Sequence, residues 1–374
     1  MDELDLLARA LPDANPPSPD VVARARARLA ASPARPARRR TRTWTLTAAA
    51  ATVGTVGIVG VVFGLVANLT AAAPSAVAPK RNQALLDLAD RIEGLPAETG
   101  SFWRQTSIRG QYVKRSGITY VGQLHSETWQ PRDFGEPATQ LFWPNPIARP
   151  ATTADERAWR AAGSPRRVKF PCDEGERCDV PVTDKVGQCE HRTLDNSRVD
   201  GTVGDLTMAD LAALPTGQKE LKEKLRTYHR VWEKRGFKQP FNEYLATTSN
   251  LLELPLRPDQ RAAVIRLLAG LPATKVIGTV TDPLNRPALS VEFGTPNNTL
   301  VYNRKTGLEL PVYHRMHIDP TTGTTLADVS HAARAGVGMA KDSVVTFRAT
   351  TSESGWTTEQ PTIPKGCKKS KNRS

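Results

Sequence analysis

The stretch TWTLTAAAATVGTVGIVGVVFGLVANLTAAAPSAVAP, residues 43–79, contains no Asp, Glu, Lys or Arg, in a chain of 374 residues that carries 51 Lys and Arg against 38 Asp and Glu. Its apolar part, residues 46–69, holds Val53, Val56, Ile58, Val59, Val61, Val62, Phe63, Leu65 and Val66 interleaved with Gly54, Gly57, Gly60 and Gly64, and Asn68 is its one amide. As a helix rising ~1.5 Å per residue it reaches roughly 36 Å, enough to cross a hydrocarbon layer of about 30 Å with some tilt. A helix satisfies its own backbone in lipid, whereas a buried helix of a soluble core is normally shorter and bounded by polar positions. The reading is a transmembrane helix within residues 44–70, although the mean hydropathy of the whole chain, −0.41, is that of a soluble protein.

The arginines orient it. Arg24, Arg26, Arg28, Arg35, Arg38, Arg39, Arg40 and Arg42 precede the span, Lys80 and Arg81 are the only cations shortly after it, and no acidic residue lies between Asp20 and Asp87. Cations are retained on the cytoplasmic side, so Arg38, Arg39, Arg40 and Arg42 set the topology: N-terminus cytoplasmic, bulk of the chain outside. Ala76-Val77-Ala78 has the small-x-small form of a signal-peptide cleavage site. A tail of over 40 residues and a long apolar run argue instead for an uncleaved anchor. Gly60-Val61-Val62-Phe63-Gly64 is a G-x-x-x-G of the kind that lets two spans pair, but glycine is common in spans generally.

Residues 1–43 form an arginine-rich tail with nine arginines and five acids, net +4, which leaves +9 for the rest. Leu4, Leu7 and Leu11 fall at i, i+3, i+7 before Pro12, and Val22, Ala25 and Leu29 repeat the spacing. Isolated helices of this length are marginal in water, so two readings stand: helices that fold on a cytoplasmic partner, or an unfolded tail resting on anionic membrane lipid. Nucleic-acid binding ranks lower, because Trp44 is the only aromatic here and suits the membrane interface.

Beyond an Ala/Pro linker, residues 71–82, the pattern is that of an α+β domain over residues 83–350. Ala84, Leu85, Leu88, Ala89 and Ile92 share a helical face that Gly94 and Pro96 terminate. Phe102, Arg104, Thr106 and Ile108 alternate, as do Ile118, Tyr120, Gly122 and Leu124, and predict two paired strands. Residues 131–200 are proline-rich and read as an irregular cysteine-bearing insertion, in which Thr153-Ala154-Asp155-Glu156 has the form of a capping box for a short helix through Trp159. Helical spacing returns in Leu221, Leu225, Tyr228 and Trp232, in Phe241, Tyr244, Leu245, Leu251 and Leu252, and after Pro258. Hairpins follow: Val276/Gly278/Val280 and Leu289/Val291/Phe293 about Asp282-Pro283, and Leu300/Tyr302 and Leu308/Leu310/Val312 about residues 303–307. Asp319 to Gly323 is a further turn, Val344, Val345 and Phe347 supply a last strand, and residues 351–374 form a basic, disordered tail. Strands, helices, then strands predict a curved antiparallel sheet with helices on one side.

Cys172, Cys178, Cys189 and Cys367 all fall on the outer side, where disulfides persist. Of the three pairings open to four cysteines, Cys172 with Cys178 and Cys189 with Cys367 is favoured by the proximity of the first two. Zinc on Cys172, Cys178, Cys189 and His191 is the alternative, but the spacings lack the compact C-x2-C knuckle. His314 and His317 form H-x-x-H, yet three residues apart on a strand they point to opposite faces and read as surface or core side chains. His125 and Glu127 share a strand face, as an ordinary polar pair does and as acid–base catalysis requires. No G-x-S-x-G, Walker A or H-E-x-x-H occurs, and no catalytic residue and no cofactor or metal site is assigned; the chain is not read as an enzyme.

Met1-Asp2-Glu3-Leu4 with the arginines after it, the single span, Glu127-Thr128-Trp129, Leu206-Thr207-Met208-Ala209-Asp210-Leu211, and Arg266-Leu267-Leu268-Ala269-Gly270-Leu271-Pro272 followed by Gly278-Thr279-Val280-Thr281-Asp282 resemble an uncharacterised family of actinobacterial single-pass membrane proteins. The resemblance covers nearly the entire chain, and its motifs are structural ones. It implies an outer domain like those of LolA and RseB, half-barrels whose concave face holds acyl chains, and a cytoplasmic partner related to extracytoplasmic-function sigma factors, with Leu4, Leu7 and Leu11 as its docking residues. The expected function is a membrane-anchored sensor of an apolar, lipid- or lipopeptide-like ligand; a non-signalling anchored or carrier-like domain is the alternative, and an envelope enzyme a third. The tail lacks His and Cys, which excludes a zinc-type anti-sigma module in residues 1–43. Such a topology predicts that protease added to intact cells digests the large C-terminal portion while the protein resists carbonate extraction; a protected large fragment, or release by carbonate, contradicts it.

Overall fold

A computed structural model describes residues 82–133, 136–171, 177–194, 206–294, 298–303 and 308–370. They belong to the second of two units into which the chain divides, Ser75–Ser374. The expected span, the cytoplasmic tail with Leu4, Leu7 and Leu11, the topology-setting Arg38, Arg39, Arg40 and Arg42, and Cys172 lie outside the described residues. Among the described residues no helix is long and apolar enough to cross a membrane.

The domain opens with helix α1 (Gln83–Glu93), whose Leu85, Leu88, Ala89 and Ile92 are fully buried at the spacing read from the sequence. Burying each of the larger three removes apolar area worth about 1.5–3 kcal/mol before entropy. Strands β1 (Phe102–Arg115) and β2 (Ile118–Pro131) then form one hairpin, paired from Phe102 with Pro131 to Arg115 with Ile118. Its turn needs two residues at positive φ, which Ser116 (49°) and Gly117 (82°) supply, the geometry that matches strand twist.

Residues 131–200 are far more regular than the sequence suggested. They carry β3 (Ala138–Phe142), β4 (Ile147–Pro150), helix α2 (Thr153–Ala161), β5 (Arg167–Pro171), β6 (Arg177–Pro181) and β7 (Glu190–Leu194). β3 and β4 pair with successive halves of the long β2, and β5 and β6 make a separate two-stranded sheet. The prolines that suggested irregularity stand mostly at strand ends, as Pro131, Pro150, Pro171 and Pro181 do, where a missing N–H costs no ladder bond. The cap of α2 is Thr152, one residue before the expected Thr153: its extended backbone lets Oγ1 accept from Asp155 N at 3.1 Å.

A helical layer follows: α3 (Met208–Ala212), α4 (Gln218–Lys234), α5 (Phe241–Thr247) with a 3₁₀ turn (Thr248–Glu253), and α6 (Pro258–Ala269). Thr207 and Asp210 form a reciprocal capping box, and Asp210 Oδ1 also accepts from Tyr228 Oη at 2.9 Å. α6 is buried on nearly every side, and its polar side chains tie it to neighbouring elements. The Gln260 amide donates to the carbonyls of Leu211, Ala212 and Leu214, the Arg261 guanidinium to those of Leu256 and Thr322, and Arg266 pairs with Asp90 and Glu93 of α1.

The remaining strands are β8 (Lys275–Thr281), β9 (Pro287–Glu292), β10 (Asn298–Asn303), β11 (Leu308–Ile318), β12 (Thr325–Ala332), β13 (Val344–Thr350), β14 (Gly355–Thr357) and β15 (Lys368–Lys369). The hairpins β8–β9 and β10–β11 stand where they were expected. Among the described residues the main sheet has thirteen strands, curved and antiparallel but for one pair; ten follow in the order β15-β7-β3-β2-β1-β13-β12-β11-β9-β8, and β4, β10 and β14 pair off that path with β2, β11 and β1. The C-terminal segment corrects the expected disordered tail: β14 pairs with β1, and β15 runs parallel to β7. Cys189 and Cys367 form a disulfide across 178 residues with Cα atoms 4.8 Å apart, and Lys368 N and Ser370 N donate to the carbonyls of Cys189 and His191.

Candidate functional site

Pairing register sorts the sheet into two faces, since residues opposite one another on neighbouring strands share a face and alternate residues do not. One face receives the helices: Val291, Phe293, Met316 and Ile318 join the core of α1 and α3–α6. On that same side, at the tip of the β1–β2 hairpin, β5 and β6 place Val168, Phe170 and Val180 against Val113 and Tyr120.

Part of the opposite face floors a cleft of about 780 Å³, through Tyr112, Val121, Gln123, His317, Val329, Val344 and Phe347. The face as a whole is built in rows. His125, Ile108, Ala349, Ala327, His317, Ser290 and Gly278 follow one another across seven strands from β2 to β8. Alongside runs Gln123, Gly110, Phe347, Val329 and Arg315, and beyond it Val121 opposite Tyr112 and Val344 opposite His331. Gly110 is required: a Cβ there would collide with the Phe347 ring, which lies over its backbone. The apolar centre, Val121, Ala327, Val329, Phe347 and Ala349, is buried, with Ile108, Tyr112 and Val344 packed against it.

Two walls flank this floor. One is β4 with α2 and residues 182–184: Arg149 stands beside Val121, donates to Gln123 Oε1 at 2.6 Å, and has Asp184 at 3.8 Å. Asp155 fixes α2 to the sheet by accepting from Thr119 N at 2.8 Å, and Thr152, Thr153, Glu156 and Trp159 line the cleft above it. The other wall is the β8–β9 turn, held by the buried Asp282. Its Oδ1 accepts from Leu284 N and Arg286 N, each at 2.8 Å, while its Oδ2 accepts two bonds from the Arg286 guanidinium at 2.8 and 2.6 Å. Leu284 from this turn packs onto the floor.

Among the described residues, several groups on this face lack partners. His317 is 6% exposed, lines the cleft, and its Nδ1 is sealed without a hydrogen bond; Ser290 Oγ, directly across from it on β9, is sealed and unpaired too. The two make no hydrogen bond with each other, so they do not form a nucleophile–base pair. Burial pushes His317 down to about 4, and the neighbouring His331 and Arg315 push in the same direction against Asp282 and Asp328. Burial lowers His125 and His331 as well. His331 Nδ1 lies 2.9 Å from the Asp342 carbonyl and its ring stacks on Tyr313.

The residues singled out from the sequence are dispersed. His314 and His317 do take opposite faces: His314 sits 3.4 Å from Asp328, and His317, read as a surface or core side chain, belongs to the cleft. His125 and Glu127 share a face, but the Glu127 carboxylate is taken by the Arg104 guanidinium, at 2.9 Å, and by the Trp129 indole N–H, which makes Glu127-Thr128-Trp129 a structural clasp. Cys189 and Cys178 are both halves of disulfides, so neither offers a thiolate to zinc. Among the described residues no group of three or more His, Cys, Asp or Glu converges as a metal site. Of the residues that line the cleft, sequence reasoning missed Gln123, Arg149 and Val329, and it read Phe347 only as part of a strand. The alternation of β1, β2 and β13 was the available signal, and it does not say which of two faces stays open.

The depressed His317 gives a pH dependence. Its folded value lies below the ordinary 6.5, so between pH 6.5 and 4 the unfolded chain binds the extra proton and stability falls as pH falls, by up to about 3 kcal/mol for a shift of this size. His317→Phe is expected to flatten that acid-side loss in urea unfolding compared at pH 7 and pH 4.5; an unchanged pH slope contradicts the assignment.

No family model, no curated protein and no solved structure matches this chain, so the chemistry of the cleft has to be read from its own side chains.

Proposed function

We propose that the chain is a single-pass membrane protein whose extracytoplasmic domain, a half-barrel of the LolA and RseB kind, binds an amphiphilic, lipid- or lipopeptide-like ligand in the cleft. The observation that carries this reading is the cleft itself: about 780 Å³ on the face opposite the helical layer, apolar along Val121, Val329, Val344 and Phe347 and polar at its walls. Ligand pockets fall in this size range, and here a narrow apolar strip lies between polar walls that make up the greater part of the lining, as an amphiphile with a large polar end requires. An acyl chain would lie along the floor, with its polar end among Arg149, Thr152 and Asp184 at the rim. The resemblance described above supports the same use of the concave face, and the charge-free residues 43–79 support the anchor.

In this reading the domain is a sensor. Occupancy is passed through the span to the tail, where Leu4, Leu7 and Leu11 dock a cytoplasmic protein related to sigma factors. The non-signalling carrier reading shares the cleft and lacks the docking.

The cleft is tested with the full chain held in amphipol and dansyl-undecanoic acid as probe. Saturable binding is expected, and Val344→Trp, which fills the floor from a half-buried position, is expected to weaken it at least about tenfold without lowering the unfolding midpoint. Equal binding by that variant, folded, refutes the site. Signalling is tested separately: replacing Leu4, Leu7 and Leu11 with Asp is expected to release a co-purifying cytosolic protein. A pull-down that is unchanged or always empty leaves the carrier reading.

A further inference from the structure

We propose that helix α4 and the loop after it form a surface that rests on the anionic phospholipid headgroups of the membrane to which the chain is anchored. This builds on the reading of residues 46–69 as a span and gives the outer domain a second, reversible contact with the same bilayer.

The charge of the helix is the first observation. Residues 218–238 hold eight Lys and Arg against three Glu. Leu221, Leu225 and His229 are buried, so at 3.6 residues per turn Lys219, Arg230 and Lys234 fall on the outer side. All three are exposed, as is Lys238 in the loop. Glu223 on that side is neutralised by Arg226 at 2.8 Å, and Glu233 lies 3.7 Å from His229. Among the described residues Lys219, Arg230, Lys234 and Lys238 take no part in an ion pair. From Lys219 to Lys234 the cations are spread over about 22 Å of helix, a length that fits a field of anions better than one small anion.

An aromatic tip is the second. Gly236, with φ at 93°, turns the chain back after α4, and the Phe237 ring stacks on Trp232 with centroids 4.9 Å apart. Phe237 is 55% exposed, more than any other large apolar side chain among the described residues, and Val231 is 44% exposed. The stack holds the ring in place while half of it meets water, and Lys234 and Lys238 flank it in the sequence. Aromatic rings settle at the headgroup level of a bilayer, and cations beside them meet the phosphates there.

The third is where the chain enters the domain. Asn82 donates to the Ala269 carbonyl at 3.0 Å, and Gln218, the first residue of α4, donates to the Arg266 carbonyl at 3.3 Å. Both carbonyls belong to the last turn of α6. The polypeptide that arrives from the span therefore joins the domain at the turn from which α4 starts. Charge alone would suit a polynucleotide equally well, but the tether makes contact with lipid intramolecular, and such a contact needs little intrinsic affinity.

The test uses the full chain in nanodiscs of phosphatidylcholine alone, or of phosphatidylcholine with about one third phosphatidylglycerol. Val231→Cys carries an NBD label; among the described residues no cysteine is free, so the label goes to the new thiol. In anionic discs the emission is expected to move to the blue and to brighten at least about twofold, and about 0.5 M sodium chloride is expected to reverse this. The response is expected to vanish when Lys219→Glu, Arg230→Glu and Lys234→Glu are combined, and to fall by about half in Phe237→Ser. A label at Ile363→Cys, exposed on the C-terminal segment, is expected to stay unchanged. The inference is overturned if the Val231 label reads alike in both kinds of disc, if salt leaves its response intact, if either variant responds as the parent does, or if the Ile363 label responds equally. Retention by both kinds of disc with no response at Val231 leaves the anchor standing while this inference falls. A chain recovered with anionic discs alone supports the surface and defeats the anchor, and one recovered free of both kinds defeats the two together.

Discussion

The alternation of side chains along β11 is the constraint on which the rest of the domain depends. Met316 and Ile318 enter the core beneath the helices, and His317 between them is turned to the opposite side, into the cleft. A strand has no third direction. Once the helical layer claims one face of β9 and β11, the residues between the core positions must line whatever stands on the other face. The walls of β4, α2 and the β8–β9 turn make that face a cleft instead of open surface.

The helical layer stays in place through polar anchoring as much as through apolar packing. α6 has few exposed positions, so an unpaired polar group on it would be expensive, and its Gln260, Arg261 and Arg266 each tie a different neighbour: α3, the β11–β12 turn and α1. Asp282 does the same for the cleft wall, accepting four bonds within one turn. Arg266 and Asp282 fall in the motifs on which the family resemblance was drawn, and their contacts explain those motifs as parts of the framework.

Much of this was legible in the residues themselves. The stripe of α1, the β1–β2 pairing, the β8–β9 and β10–β11 hairpins and the helices between residues 206 and 271 follow from local spacing, and the structure has them. The Cys189–Cys367 pairing was preferred among three and is present. The five strands of residues 131–194 were not legible, because four- and five-residue strands bounded by proline give too few alternations to stand out from loop. Nor was β12, although its Ala327, Val329 and His331 alternate, since Ser330 and Asp328 between them are half committed to the other face. The cleft was invisible for a related reason: none of Gln123, Arg149 or Val329 belongs to a motif, and their significance lies in who their neighbours are.

By itself the sequence determined what local spacing and charge can determine: a charge-free stretch long enough to span lipid, helices with one apolar stripe, strands with two distinct faces, and turns where Gly and Asp permit them. Tertiary structure alone decided that β13 lies beside β1, that Cys189 meets Cys367 across 178 residues, and that His317 and Arg149, from strands far apart in sequence, line one cleft. The division has a physical cause. Periodicity records the environment of each residue one element at a time, whereas the pairing of remote strands is set by which edges remain open and which buried surfaces fit once the loops between them have closed.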